Sequence, residues 1–152
     1  MISTLSGGVL GVSSTLVVEA FRSKRDQKLR HLELRRTAYV RYLTALTDTE
    51  TALQTLALSR PTPVANGEVV AAFRSQGVIA ARYEVFLVAP PVVYDAARDA
   101  YNLLRAQRVA IATTDVAVGD DSSEWQALHI PYDVAFRHLR AVMRDSLGSA
   151  GN

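Results

Sequence analysis

The chain of 152 residues contains no cysteine. That absence excludes a disulfide framework, a thiolate zinc site, an iron–sulfur cluster and a cysteine nucleophile. It fits a reducing compartment without proving one. Glycine and proline are few, 8 and 5, so a fibrous or low-complexity chain is excluded. With 49% hydrophobic residues it is too apolar to stay disordered. Lysine is nearly missing, with 2 against 15 arginines, and Ile and Asn are scarce beside Ala and Val. GC-rich coding produces this bias, so arginine abundance alone says little about selection for arginine chemistry.

The placement of charge says more than the formal net of +2. Eight cations lie between Arg22 and Arg41: Arg22, Lys24, Arg25, Lys28, Arg30, Arg35, Arg36 and Arg41. Only Asp26 and Glu33 oppose them, and the rest of the chain is net negative. Directly before this block, residues 1–18 (MISTLSGGVLGVSSTLVV) carry no charge at all, and Glu19 ends the run. Continued to Phe21 as a helix, the run spans roughly 31 Å, close to the thickness of a bilayer's hydrocarbon core. Helical Ser and Thr return their hydroxyls to backbone carbonyls, which lowers their cost in lipid.

Ser3, Gly7, Gly11 and Thr15 recur every four positions and form one smooth helical stripe. Such small-residue stripes let two membrane helices approach closely. The cations that follow predict a cytoplasmic body with the amino terminus outside. A cleaved signal peptide fits less well, because no basic region precedes the apolar run. A hydrophobic helix buried in a soluble assembly is the third reading. The membrane anchor is favoured.

The remainder reads as all-α. From Phe21 there is no Pro or Gly until Pro61. Leu29, Leu32, Tyr39, Leu43, Leu46, Leu53 and Ala57 follow steps of three, four and seven, interrupted by Arg36 and Glu50. This predicts a basic amphipathic helix over 21–58, running on from an apolar helix over 1–20. So long a rod needs partner helices or a second copy. Residues 59–67 (SRPTPVANG) form a linker. A second helix is expected over 68–88, with Val69, Phe73, Ile79, Ala80, Phe86 and Leu87 inward and Gly77 inside it. YEVFLV within it also suits a strand, but no partner strand is evident.

Pro91 suits the first turn of a third helix, with Val93, Ala97, Ala100, Leu104 and Ile111 inward. After a loop over 114–123, Asp121 with Glu124 suggests a capping box for a fourth. That helix places Trp125, Leu128, Tyr132, Phe136, Leu139 and Met143 on one face, with Gly148 as its terminal cap. Pro131 is expected to kink or restart it. The expectation is an antiparallel bundle of about four helices over 21–148, with a short tail at 149–152.

Chemistry-bearing patterns are sparse. His31, His129 and His138 show neither Glu-x-x-His nor His-Glu-x-x-His spacing. Gly7, Gly8 and Gly11 lack the lysine and serine of a phosphate loop. Ser122 and Ser123 read as helix-start residues, Glu84 as a surface or ion-paired carboxylate, and Trp125 as a core anchor. No acid–base or nucleophile constellation is visible, so neither an enzyme nor a cofactor is expected. The basic patch of Arg22, Lys24, Arg25, Lys28, Arg30, Arg35 and Arg36 has three readings. It can attract anionic lipid headgroups, bind nucleic acid, or be a solvated helix face. Its place beside the apolar run favours lipid, and its scarcity of aromatics argues against nucleic acid.

Arg35-Arg36-Thr37-Ala38-Tyr39-Val40-Arg41-Tyr42-Leu43 fits the pattern R-x-x-x-Y-x-x-[FY]-L. With the apolar helix ahead of it, this resembles a group of short, membrane-anchored helical actinobacterial proteins. The end, Met143-Arg144-Asp145-Ser146-Leu147-Gly148, resembles their R-x-[DE]-L-G-like finish with Ser146 inserted. The resemblance implies a membrane-tethered helical domain and supplies no activity. Two functions stand side by side. One is a single-pass, self-associating membrane protein that docks a cytoplasmic partner. The other is a soluble helical subunit whose basic face meets nucleic acid or an acidic protein.

Overall fold

The computed structural model describes residues 10–59, 61, 63–116 and 122–149, with residues 10–21 described by backbone alone. Every described element is helical: α1 (Leu10–Ser59), α2 (Asn66–Ser75), α3 (Val78–Val88), α4 (Pro91–Thr113) and α5 (Ser123–Ser149). YEVFLV is therefore helix. Residues 1–9, with Ser3 and Gly7 of the small-residue stripe, lie outside the described residues. Gly11 and Thr15 fall in the backbone of α1.

At 50 residues α1 is roughly 75 Å long, against roughly 40 Å for the 27 residues of α5. Its carboxyl-terminal half is the spine of the core: Tyr42, Leu46 and Leu53 are fully buried. Thr49, buried on the same face, satisfies its hydroxyl by donating to the Ala45 carbonyl at 2.6 Å. The remaining core comes from Val69 and Phe73 of α2, Val85 of α3, Ala97, Ala100 and Leu104 of α4, and Tyr132 and Leu139 of α5.

Long-range bonds fix the directions. Arg35 reaches Val88, and Arg41 reaches Glu84, so α1 and α3 run opposite ways. Glu50 meets His129 while Tyr39 meets Ser146, so α5 is also antiparallel to α1. At the far end the Val64 N–H donates to the Ile111 carbonyl at 2.9 Å. That bond satisfies one of the carbonyls left open at the end of α4 and straps the linker across it.

Several expectations are corrected. The single helix over 68–88 is two helices, broken at Gly77, whose φ of 70° is left-handed. Nothing lies within 4 Å of a Cβ built there, so Gly77 is a conformational requirement rather than a packing one. The break resets the helical phase. Val78, Ala81 and Val85 turn inward, Ile79 is half-buried, and Ala80, Phe86 and Leu87 face out.

Pro131 does not restart its helix; α5 continues through it. The cap of α5 is Ser122, whose Oγ accepts from the Trp125 N–H at 3.2 Å; Asp121 lies outside the described residues. Gly148 is not a terminal left-handed cap, because α5 passes through it to Ser149.

Candidate interaction surface

Beyond Arg35, α1 runs out past its partners. Residues 22–34 are exposed on every face, Leu32 alone being half-buried. Arg22, Lys24, Arg25, Lys28, Arg30 and Arg36 are all exposed. Arg35 is half-buried because its Nε donates to the Val88 carbonyl at 2.8 Å. Of the predicted seam, Tyr39, Leu46 and Leu53 are buried and Leu43 packs against the core. Leu29 is 56% exposed and faces no described neighbour, so the seam stops short of it in the single chain.

Helical phase explains this. Lys24, Lys28, His31 and Arg35 step by four, three and four. They continue the line on which Ala38, Tyr42, Leu46 and Leu53 face the core. One helix face thus changes from apolar to cationic where the partner helices end. Leu29 and Leu32 drift to its flank. Among the described residues no helix is long and apolar enough to cross a membrane.

Grooves flank the buried part of α1 on both its α3 and its α5 side. The α1–α3 groove, about 690 Å³, has walls of both signs: Arg36 and Arg41 against Glu33, Asp48 and Glu84. Arg41 and Glu84 are joined across it at 2.6 Å, so the carboxylate singled out in the sequence is an ion-paired surface group. The α1–α5 groove, about 500 Å³, is different. Its walls carry four arginines, Arg36 from α1 and Arg137, Arg140 and Arg144 from α5. Its apolar lining is Val40 and Leu43 of α1 with Met143 and Leu147 of α5. Arg137 pairs with Asp133 at 2.8 Å and Arg144 with Asp145 at 3.7 Å. Arg36 and Arg140 have no ion-pair or hydrogen-bond partner among the described residues.

A polar cluster crosses the interface of α1 and α5 at a deeper level. His129 Nδ1 lies 3.0 Å from Glu50 Oε1 as an ion-pair contact, and neither of these buried atoms has a hydrogen-bond partner among the described residues. The His129 ring stacks on Trp125 at 6.0 Å, and Trp125 is buried, as a core anchor should be. Burial pushes the Glu50 carboxyl above the ordinary carboxylate range; nearby His129 pulls it back, and Asp133 adds to the rise. Burial likewise raises the hydroxyls of Tyr42 and Tyr132, and Tyr42 donates to the Ala97 carbonyl at 2.9 Å.

The fully buried Gln107 donates to the Leu128 carbonyl at 3.4 Å, one turn ahead of Pro131. Sequence reasoning missed both features. Glu50 had one visible signal, a carboxylate on an apolar stripe, but its partner is 79 positions away.

His31 and His138 are exposed and lie apart from this cluster. Among the described residues no three His, Asp or Glu side chains are grouped to hold a metal ion. Glu50 and His129 form a structural pair by their setting: they bridge two helices and face no cavity among those described above. Comparison with protein-family models, curated proteins and solved structures returned no match.

Proposed function

We propose that the chain is a single-pass, membrane-anchored helical interaction protein. Residues 1–20 cross the bilayer, the amino terminus lies outside, and the helical body built from the rest of α1 with α2 to α5 sits in the cytoplasm. The supporting observation is the continuity of α1. One helix leads from uncharged residues, through an exposed cationic stretch, into the core without a break. The Ser3, Gly7, Gly11 and Thr15 stripe pairs copies within the membrane. The cations that follow residue 20, from Arg22 to Arg30, hold the boundary, those nearest the anionic headgroups contributing about 1 kcal/mol each. The body then stands off the surface as a scaffold for a cytoplasmic protein.

Membrane fractionation of the tagged full-length chain tests this. Alkaline-resistant pelleting that vanishes on deletion of residues 1–20 is the expected result. A full-length chain that stays in solution without detergent overturns it. The second reading, a soluble subunit with a basic face, draws on the cationic line from Lys24 to Arg35. It requires salt-dependent nucleic-acid or acidic-protein binding by a chain that does not pellet.

A further inference from the structure

We infer that the α1–α5 groove docks an acidic amphipathic helix of a partner protein. This rests on the docking role proposed above and names its place and chemistry. Charge complementarity carries it. Four guanidinium groups border one groove, and two of them, Arg36 and Arg140, make no ion pair among the described residues. Arg137 and Arg144 hold only exposed aspartates, and such surface pairs exchange at little cost.

The floor supplies the second requirement. Val40 is 59% exposed, and Leu43 and Leu147 are half-buried, so apolar surface lies open between the arginines. Val40 and Leu43 are three apart on α1, and Met143 and Leu147 four apart on α5. These are the ridge spacings into which a third helix packs. A helix with apolar residues at i, i+3 and i+7, flanked by Glu or Asp, presents the matching surface.

Lipid fits the groove less well. In an upright anchored chain, Arg36 stands roughly 24 Å along the helix from residue 20, beyond the reach of headgroup charge at physiological salt. Nucleic acid fits less well too. Its backbone gains nothing from an apolar floor, and the one aromatic in the groove, Tyr39, is buried and offers no stacking face. The α1–α3 groove is poorer, because its own carboxylates oppose its arginines.

The test uses the full-length chain in an uncharged maltoside detergent and a fluorescent helical peptide. The peptide carries Leu at i, i+3 and i+7, with Glu on both flanks. Saturable binding is expected, weakened roughly tenfold or more by Arg36→Glu with Arg140→Glu. Arg105→Glu, an exposed change on α4, should leave it unaltered. A peptide with Lys in place of Glu should bind the doubly substituted chain and not the natural one. Arg36 and Arg140 are exposed, so the substituted chain should melt as the natural one does, which separates lost binding from lost fold.

Absence of binding overturns the inference, as does binding indifferent to the two substitutions. Competition by anionic vesicles or a DNA duplex in preference to unlabelled peptide overturns it in favour of those ligands. The anchor is judged separately: lost pelleting with intact peptide binding removes the anchor alone, and the converse removes the groove alone.

Discussion

Arg35 donates from Nε to the carbonyl of Val88 at 2.8 Å, and that bond marks where α1 leaves its partners. Val88 ends α3, so its carbonyl has no acceptor role within the helix. The guanidinium supplies the missing donor and adds a favourable charge at the helix's negative end. Arg35→Met should therefore lower stability by about 1–2 kcal/mol and speed amide exchange at the end of α3, at Val88 and Ala89. Arg30→Met, on the exposed part of the same helix, should change neither. Equal effects from the two substitutions would show that the bond does not hold this end of the fold.

Gly77 separates α2 from α3 through a left-handed φ of 70°. An alanine Cβ meets no neighbour there, so the cost of Gly77→Ala is conformational only. It should amount to roughly 1–2 kcal/mol, read from the denaturant midpoint. Asn tolerates the left-handed region better, so Gly77→Asn should cost less. If Ala stabilised the chain instead, α2 and α3 would be one helix in solution.

Leu46 and Leu29 sit on the same helix with opposite surroundings, one fully buried and the other mostly exposed. Leu46→Ala should cost about 3 kcal/mol through lost burial and the cavity left behind. Leu29→Ala should leave unfolding of the isolated chain within about 0.5 kcal/mol of the natural protein. A large loss at Leu29 would mean that the overhanging part of α1 is covered in solution, and crosslinking between copies would then be the measurement to make.

These three positions also show what the sequence makes legible. The spacing of Tyr39, Leu46 and Leu53 announces a buried helical face, and Pro91 announces the start of α4. Both signals are local. Gly77 was visible as a residue but not as a break, because helices tolerate a lone glycine at modest cost. Once it breaks the helix, the inward set moves from Ile79, Ala80, Phe86 and Leu87 to Val78, Ala81 and Val85. The groove lined by Arg36 and Arg140 was illegible, because its walls are over a hundred residues apart. Each arginine alone looks like any solvated cation, and only the antiparallel pairing of α1 with α5 brings them together.

The pair Glu50 and His129 makes a prediction about pH. Burial raises the Glu50 carboxyl in the folded chain more than His129 lowers it. The folded chain therefore holds that proton more tightly than the unfolded chain does. The stability from this source is complete below the ordinary carboxylate range and is lost as pH rises through the folded titration of Glu50. Above that titration the ionised side chain is a net cost, partly offset by His129 at 3.0 Å. Glu50→Gln removes the charge and keeps the shape. Its unfolding free energy should equal or exceed that of the natural chain near neutral pH, and the advantage should shrink as the solution is acidified.

His129→Ala removes the offset together with the stacking on Trp125; its electrostatic part should cost about 1 kcal/mol near neutral pH, a modest figure because His129 is partly solvated. Adding Glu50→Gln to His129→Ala should recover that electrostatic part, since no buried charge is then left without its partner, while the lost stacking on Trp125 remains. Denaturant unfolding across the pH range measures all three. A Glu50→Gln chain clearly less stable than the natural one near neutral pH would mean that the pair contributes more than its burial costs. Glu50 would then be a structural anchor of α5 rather than a tolerated charge.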